Sequence, residues 1–234
     1  MEYSLQTHYE MDNLELFLQE SMSPLRRVTI KPMLVERALK NIGMRSVAIN
    51  HPKIIPFKKD IENRLKKMKN KFNINGEVFV EKKANQIELQ LYEAIGYHDF
   101  IAKIEVDNGF SIPTEDEWEY LCGGGSRTLF RWGDSFDYTM KLNHFPENNP
   151  QNMPSNLQDP NQFGIKIAYE PYIFEVVKSN CIVKGGDGGA NICVGLGKAL
   201  GYLSTATYFR PCDDYEIEEL NFIADIGEAF YRRV

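Results

Sequence analysis

Apolar residues recur at helical spacing through much of the first 105 positions, and that period nearly vanishes after residue 110. In residues 8–20, Met11, Leu14, Phe17 and Leu18 stand among acidic residues, which predicts a short amphipathic helix. Ser23-Pro24 ends it. Residues 26–36 (RRVTIKPMLVE) are β-rich, with Pro32 marking an edge or a break. Residues 50–56 form a turn region. Ile61, Leu65, Met68 and Phe72 then fall on one stripe, which predicts a helix over 58–72. Lys and Arg at positions 58, 59, 64, 66, 67, 69 and 71 cover its other faces. A solvated face explains them, and a surface for an acidic partner is the functional alternative. Asp213, Asp214, Glu216, Glu218 and Glu219 carry complementary charge within the same chain.

Asn75-Gly76 signals a turn, followed by the strand-like Val78-Phe79-Val80. Residues 86–105 read as a second helix, with Ile87, Leu91, Ala94, Ile95, Ile101 and Ile104 inward. His98 falls on that stripe and reads as a core histidine. Asp107-Asn108-Gly109 closes the helix. Beyond it the chain turns to Gly, Asn, Pro and aromatics with short β-like runs, and residues 143–164 are mostly turn formers. Within this region Thr114 and Glu117 have the spacing of a capping box, with Glu115 and Asp116 in the first helical turn. Trp118 and Leu121 would face the core. Gly123-Gly124-Gly125 lacks the Lys-Ser/Thr of a phosphate loop.

The chain has 234 residues, which suits one large domain or one domain with an extension. We divide it into an N-terminal portion, 1–75, and a main domain, 76–234. It holds 27 Lys and Arg against 33 Asp and Glu, a net charge of −6, which argues against a nucleic-acid-coating protein. No apolar run approaches the ~18 residues of a membrane span, so no membrane partner is expected. The start lacks a basic and an apolar leader segment. Cys122, Cys181, Cys193 and Cys212 form no C-x-x-C pair. Together these features predict a cytoplasmic protein with reduced thiols.

PTEDEWEYLCGGG followed by FRWGD resembles the P-T-E-A-E-W-E-Y-A-A-R-G-G … Y-P-W-G-D signature of the formylglycine-generating-enzyme (sulfatase-modifying-factor) family. Further segments agree in order. Residues 160–165 resemble the family's P-N-x-F-G-L, Phe174-Glu175-Val176 its W-E-W, and 182–186 its V-x-R-G-G. The ending at Phe230-Tyr231-Arg232-Arg233-Val234 resembles its closing G-F-R-x-V strand. The resemblance covers roughly residues 86–234. It implies an α+β, C-type-lectin-like fold: small twisted antiparallel sheets, two or three helices and a loop-rich lobe.

What the resemblance implies about chemistry is different. Aerobic members hold Cu(I) with two cysteines spaced C-x4-C after R-G-G, since soft thiolates select that ion. Here Ala190 and Gly195 occupy those positions, and sliding Cys193 onto the first leaves Lys198 at the second. Related iron enzymes use a His triad, whereas His8, His51, His98 and His144 form no H-x3-H or H-x4-H pair. Of the family's calcium ligands, Glu175 and Asn143 would remain, while 166–173 have become apolar or bulky. The expectation is therefore a non-catalytic binding module with no cofactor, no metal and no catalytic residue. A protein or small ligand would meet a face built from Trp132, Asp187, Asn191, Cys193, Tyr208 and Arg210. The alternatives are a diverged copper-dependent oxidase using Cys193, and an interaction protein docking through the basic segment 58–72.

Overall fold

The computed structural model describes residues 14–84, 86–106, 109–134, 159–168, 170–178, 183–211 and 229–234. It is an α+β protein with two four-stranded sheets among the described residues. The first helix, α1, spans Leu14–Ser21 and lies inside the expected 8–20 segment. Leu14 is buried, and with Phe17 and Leu18 it packs against Phe130, Leu200, Leu203 and Phe209. Residues 8–13 of that expectation, and the acidic run 213–219, lie outside the described residues.

The β-rich segment 26–36 is extended but forms no strand among the described residues. It is a strap pinned at both ends. Ser23 N donates to Tyr208 O and Arg210 N to Ser21 O, while at the far end Glu36 N donates to Arg233 O. Leu25 and Leu34 remain fully or almost fully exposed on it.

One sheet runs in the order β2-β5-β4-β3, with β2 at Met44–Ser46, β3 at Lys71–Ile74, β4 at Val78–Lys83 and β5 at Gln86–Tyr92. Helix α2, Lys58–Lys66, packs Ile61 onto Ile74, Val78, Val80, Leu89 and Leu91. Two sequence expectations change here. The helix expected over 58–72 stops at Lys66, because Met68 takes a left-handed φ of 60° and Phe72 pairs with Val80 across β3 and β4. The helix expected over 86–105 begins only at α3, Tyr97–Val106, because residues 86–92 form β5. In QIELQLY the apolar Ile87, Leu89 and Leu91 alternate, and Leu91 fits a strand or a helical stripe equally well. His98 is exposed rather than a core residue. The division at residue 75 falls inside the β3–β4 hairpin, so this core draws on both sides of it.

The other sheet runs β1-β8-β6-β7, with β1 at Lys40–Asn41, β6 at Phe174–Val176, β7 at Val183–Lys184 and β8 at Ala229–Tyr231. It is not purely antiparallel, since β6 and β8 run parallel. Phe100 and Ile104 of α3 pack on Phe174, Val176, Val183 and Ala229. Helix α4, Glu115–Gly123, begins at the expected capping box: Thr114 Oγ1 accepts from Glu117 N, and Glu117 Oε2 accepts from Thr114 N. Trp118 and Leu121 are buried, as expected. Two short helices follow, α5 at Ala190–Cys193 and α6 at Gly197–Gly201. Six α-helices among the described residues exceed the two or three expected.

Several motifs tie these elements together. Asn161 Nδ2 donates to the carbonyls of Leu121 and Cys122 at the end of α4, while its Oδ1 accepts from Phe163 N and Ile165 N. That supplies partners to carbonyls a helix end leaves open. In FRWGD, Phe130 and Gly133 exchange backbone hydrogen bonds and the Asp134 carboxylate accepts from Leu129 N. Gly186 lies so close to the Ile173 carbonyl that a Cβ would stand 2.0 Å from its oxygen.

Candidate functional site

The acidic first turn of α4 and its next turn gather charge from distant parts of the chain. Glu115 and Glu119 share one helix face, and both reach Lys184 of β7: Nζ lies 3.3 Å from Glu115 Oε1 and 2.8 Å from Glu119 Oε1. The Lys184 side chain has no solvent exposure. Its ammonium also stands 5.7 Å from the Trp118 ring centroid. Arg210 grips Glu115 through both forks, at 3.1 and 2.6 Å. Arg26 comes in from the strap and meets Asp116 at 2.5 Å and Glu119 at 3.0 Å. The Ser23 hydroxyl donates to Glu119. Three cations thus meet three carboxylates around one helix turn. Burial alone would raise the Glu115 carboxyl, but the Arg210 guanidinium and the Lys184 ammonium more than reverse it and hold it at about 2. Opposing charges likewise keep the Arg26 guanidinium protonated against its burial.

Above this cluster lies a cleft of about 890 Å³ between the strap and α4. Met22, Leu25, Val28 and Ile30 line one wall, and Asp116, Glu119 and Tyr120 the other. Ser126, Arg127 and Tyr208 close its ends. The size and the mix of apolar walls with a few oriented polar groups are those of ligand sites.

The six residues expected on one face are divided among four places. Tyr208 lines the cleft, and Arg210 sits in the charge cluster through Glu115. Asp187, Asn191 and Cys193 belong to the loop leading into α5. There the buried Asp187 carboxylate accepts from Gly189 N at 2.9 Å and from Asn191 N at 3.1 Å. Burial pushes its carboxyl up to about 6, and these N–H groups oppose the rise. Asn191 Nδ2 is buried with no partner among the described residues. Cys193 is exposed, with its sulfur 3.9 Å from the Tyr172 hydroxyl. Trp132 is stacked on Phe130 at 4.5 Å and packs on the α1 cluster.

Sequence reasoning missed Ser23, Arg26, Glu115, Glu119 and Lys184 as one assembly. Glu115 was read as helix-dipole compensation, and Glu119, four residues on, was given no role. Their cationic partners lie 65 to 95 residues away, which no local pattern reveals.

Of the groups considered for metal chemistry, Cys193 stands exposed, Glu175 is otherwise engaged, and several lie outside the described residues. Glu175 makes a two-pronged, fully buried pair with Arg232, at 2.7 and 2.8 Å, and also accepts from Ala168 N. Its lone pairs are thereby committed to β8 and the loop before β6. Cys122 is buried and its thiol is pushed up to about 11. Cys181, Cys212, Asn143, His8 and His144 lie outside the described residues. Among the described residues, no group of three or more His, Cys, Asp or Glu side chains converges on a point a metal could occupy. No helix among the described residues is long and apolar enough to cross a membrane. Comparison with protein-family models, curated proteins and solved structures returns no match.

Proposed function

We propose that this chain is a non-catalytic, formylglycine-generating-enzyme-like domain of C-type-lectin-like fold that works as a binding module. Its ligand or protein partner enters the cleft between the strap and α4, where Tyr208 and the Arg26–Asp116 pair offer polar contacts beside Leu25 and Val28.

The observation that carries this reading is a contrast between two sets of positions. The residues behind the family resemblance form the framework: Thr114 with Glu117, Asn161 with the end of α4, Gly186 against Ile173, and Glu175 with Arg232. The positions that would carry the reaction hold Ala190 and Gly195, and Cys193 faces solvent with a tyrosine hydroxyl as its neighbour. A soft-metal site needs more than one such thiolate. The test is aerobic incubation of the full chain with copper and a cysteine-containing peptide, read by mass spectrometry. The expected result is an unchanged thiol mass. Copper- and oxygen-dependent conversion of the cysteine to an aldehyde would sink the proposal.

A further inference from the structure

We propose that the end of the β2-β5-β4-β3 sheet, where the turn 67–70 meets the β4–β5 hairpin, docks on an anionic lipid surface. This inference is independent of the cleft. The register fixes the geometry. Lys71 opens β3 opposite Glu81, Lys82 N donates to Asn70 O at 2.7 Å, and Lys82 stands opposite Ile87. The turn and the hairpin therefore lie at one end of the sheet.

Side chains alternate along each strand, so Lys82 and Ile87 continue the face that carries Val78, Val80, Leu89 and Leu91. That face is covered by α2, and α2 ends at Lys66. Past its end Ile87 is 49% exposed where Leu89 and Leu91 are buried. Met68, in the turn, is 89% exposed and holds a left-handed backbone conformation that a non-glycine residue rarely takes.

Cations surround these two apolar side chains. Lys66, Lys67, Lys69, Lys71 and Lys82 are exposed and have no carboxylate within ion-pair reach among the described residues. The contrast with their neighbours is direct: Lys83 is held by Glu81 and Glu88, and Arg64 by Asp60. Five lysines outside any ion pair among the described residues, beside an exposed methionine and isoleucine on a chain of net charge −6, make a basic patch with apolar side chains in it. Clusters of about four to eight basic residues draw proteins to anionic headgroups, and apolar side chains at the same spot enter the acyl boundary. A nucleic acid is the poorer match. Single strands want exposed aromatic faces, and the nearby Phe72 ring is half-buried beneath the Arg64 guanidinium. The expectation of no membrane partner came from the lack of a spanning segment, which does not bear on peripheral contact.

The test is co-sedimentation of the full chain with phosphatidylcholine vesicles, with and without about 30% phosphatidylserine, at low and high salt. Binding is expected only to the anionic vesicles, falling at least about tenfold between about 50 and 300 mM NaCl as screening sets in. Reversal of three charges (Lys66→Glu, Lys67→Glu, Lys69→Glu) abolishes it at unchanged melting temperature. Met68→Ser weakens it about tenfold. No binding at low salt, equal binding to neutral vesicles, or indifference to Met68→Ser overturns the inference. So does tighter binding to a DNA duplex of about 20 base pairs.

Discussion

Replacing Lys184 by methionine keeps an unbranched stem in a fully buried site and removes only its charge. Three carboxylates would then face two cations, Arg26 and Arg210. At 2.8 and 3.3 Å, each lost contact is worth roughly 5 kcal/mol of attraction at an effective dielectric near 20. The ammonium's own desolvation cost disappears with it, so the net loss is much smaller than the sum. Breaking a buried pair on one side costs about 3–5 kcal/mol, and that is the destabilisation we expect. Glu119→Gln alone leaves Lys184 with Glu115 and Arg26 with Asp116, and removes one charged contact from each cation, at a cost of about 2–3 kcal/mol. The double variant restores the charge balance. It should be less destabilised than the sum of the singles by at least about 1.5 kcal/mol. Urea denaturation of the four full chains at neutral pH measures this cycle. Additivity within about 0.5 kcal/mol would mean that Lys184 and Glu119 do not act as a pair, and the cluster would lose its place as the support of the cleft.

Two further outcomes follow from the same geometry. Gly186→Ala forces a methyl group against the Ile173 carbonyl and should cost about 3 kcal/mol or more, seen as a lowered melting temperature; an unchanged melting temperature would contradict this packing. The pH profile has two opposed arms. Glu115 titrates near 2 when folded and near 4.5 when unfolded, so its contribution is present above about 4.5 and lost as pH falls towards 2. Asp187 titrates near 6 when folded and near 3.8 when unfolded, so ionising it disfavours the folded state, and stability from this group falls as pH rises from about 4 to 6. Denaturation midpoints across pH 2–8 should lose the acid arm in Glu115→Gln and the neutral arm in Asp187→Asn; profiles unchanged in both variants would refute these assignments.

The parts of this fold that were legible in the sequence are those written in local chemistry. The Thr114–Glu117 capping box needs only a three-residue spacing, and it forms as expected. The turn at Asn75-Gly76 is similarly local and joins β3 to β4. Residues 86–92 were misread because period 2 and period 3.6 share positions over so short a run, and pairing with β4 decides between them. Phe72 was assigned to a helix for the same reason, since its place eleven residues after Ile61 suits either element. Of the residues that the resemblance put on one face, Tyr208 lines the cleft and Arg210 lies in the charge cluster beneath it. Lys184 was not legible, because a lysine is buried only when distant carboxylates meet it, and that meeting is a property of the packed fold.

The central claim is that a framework carrying the formylglycine-generating-enzyme resemblance serves binding rather than copper-dependent oxidation. The most direct measurement is an anaerobic competition titration of Cu(I) against the reduced full chain, beside Cys193→Ala. The account predicts no stoichiometric site: wild type and variant take up copper only at the level of a non-specific background. Tight one-to-one binding that disappears in Cys193→Ala would contradict it, because the fold would then have brought a second ligand to the Cys193 thiolate.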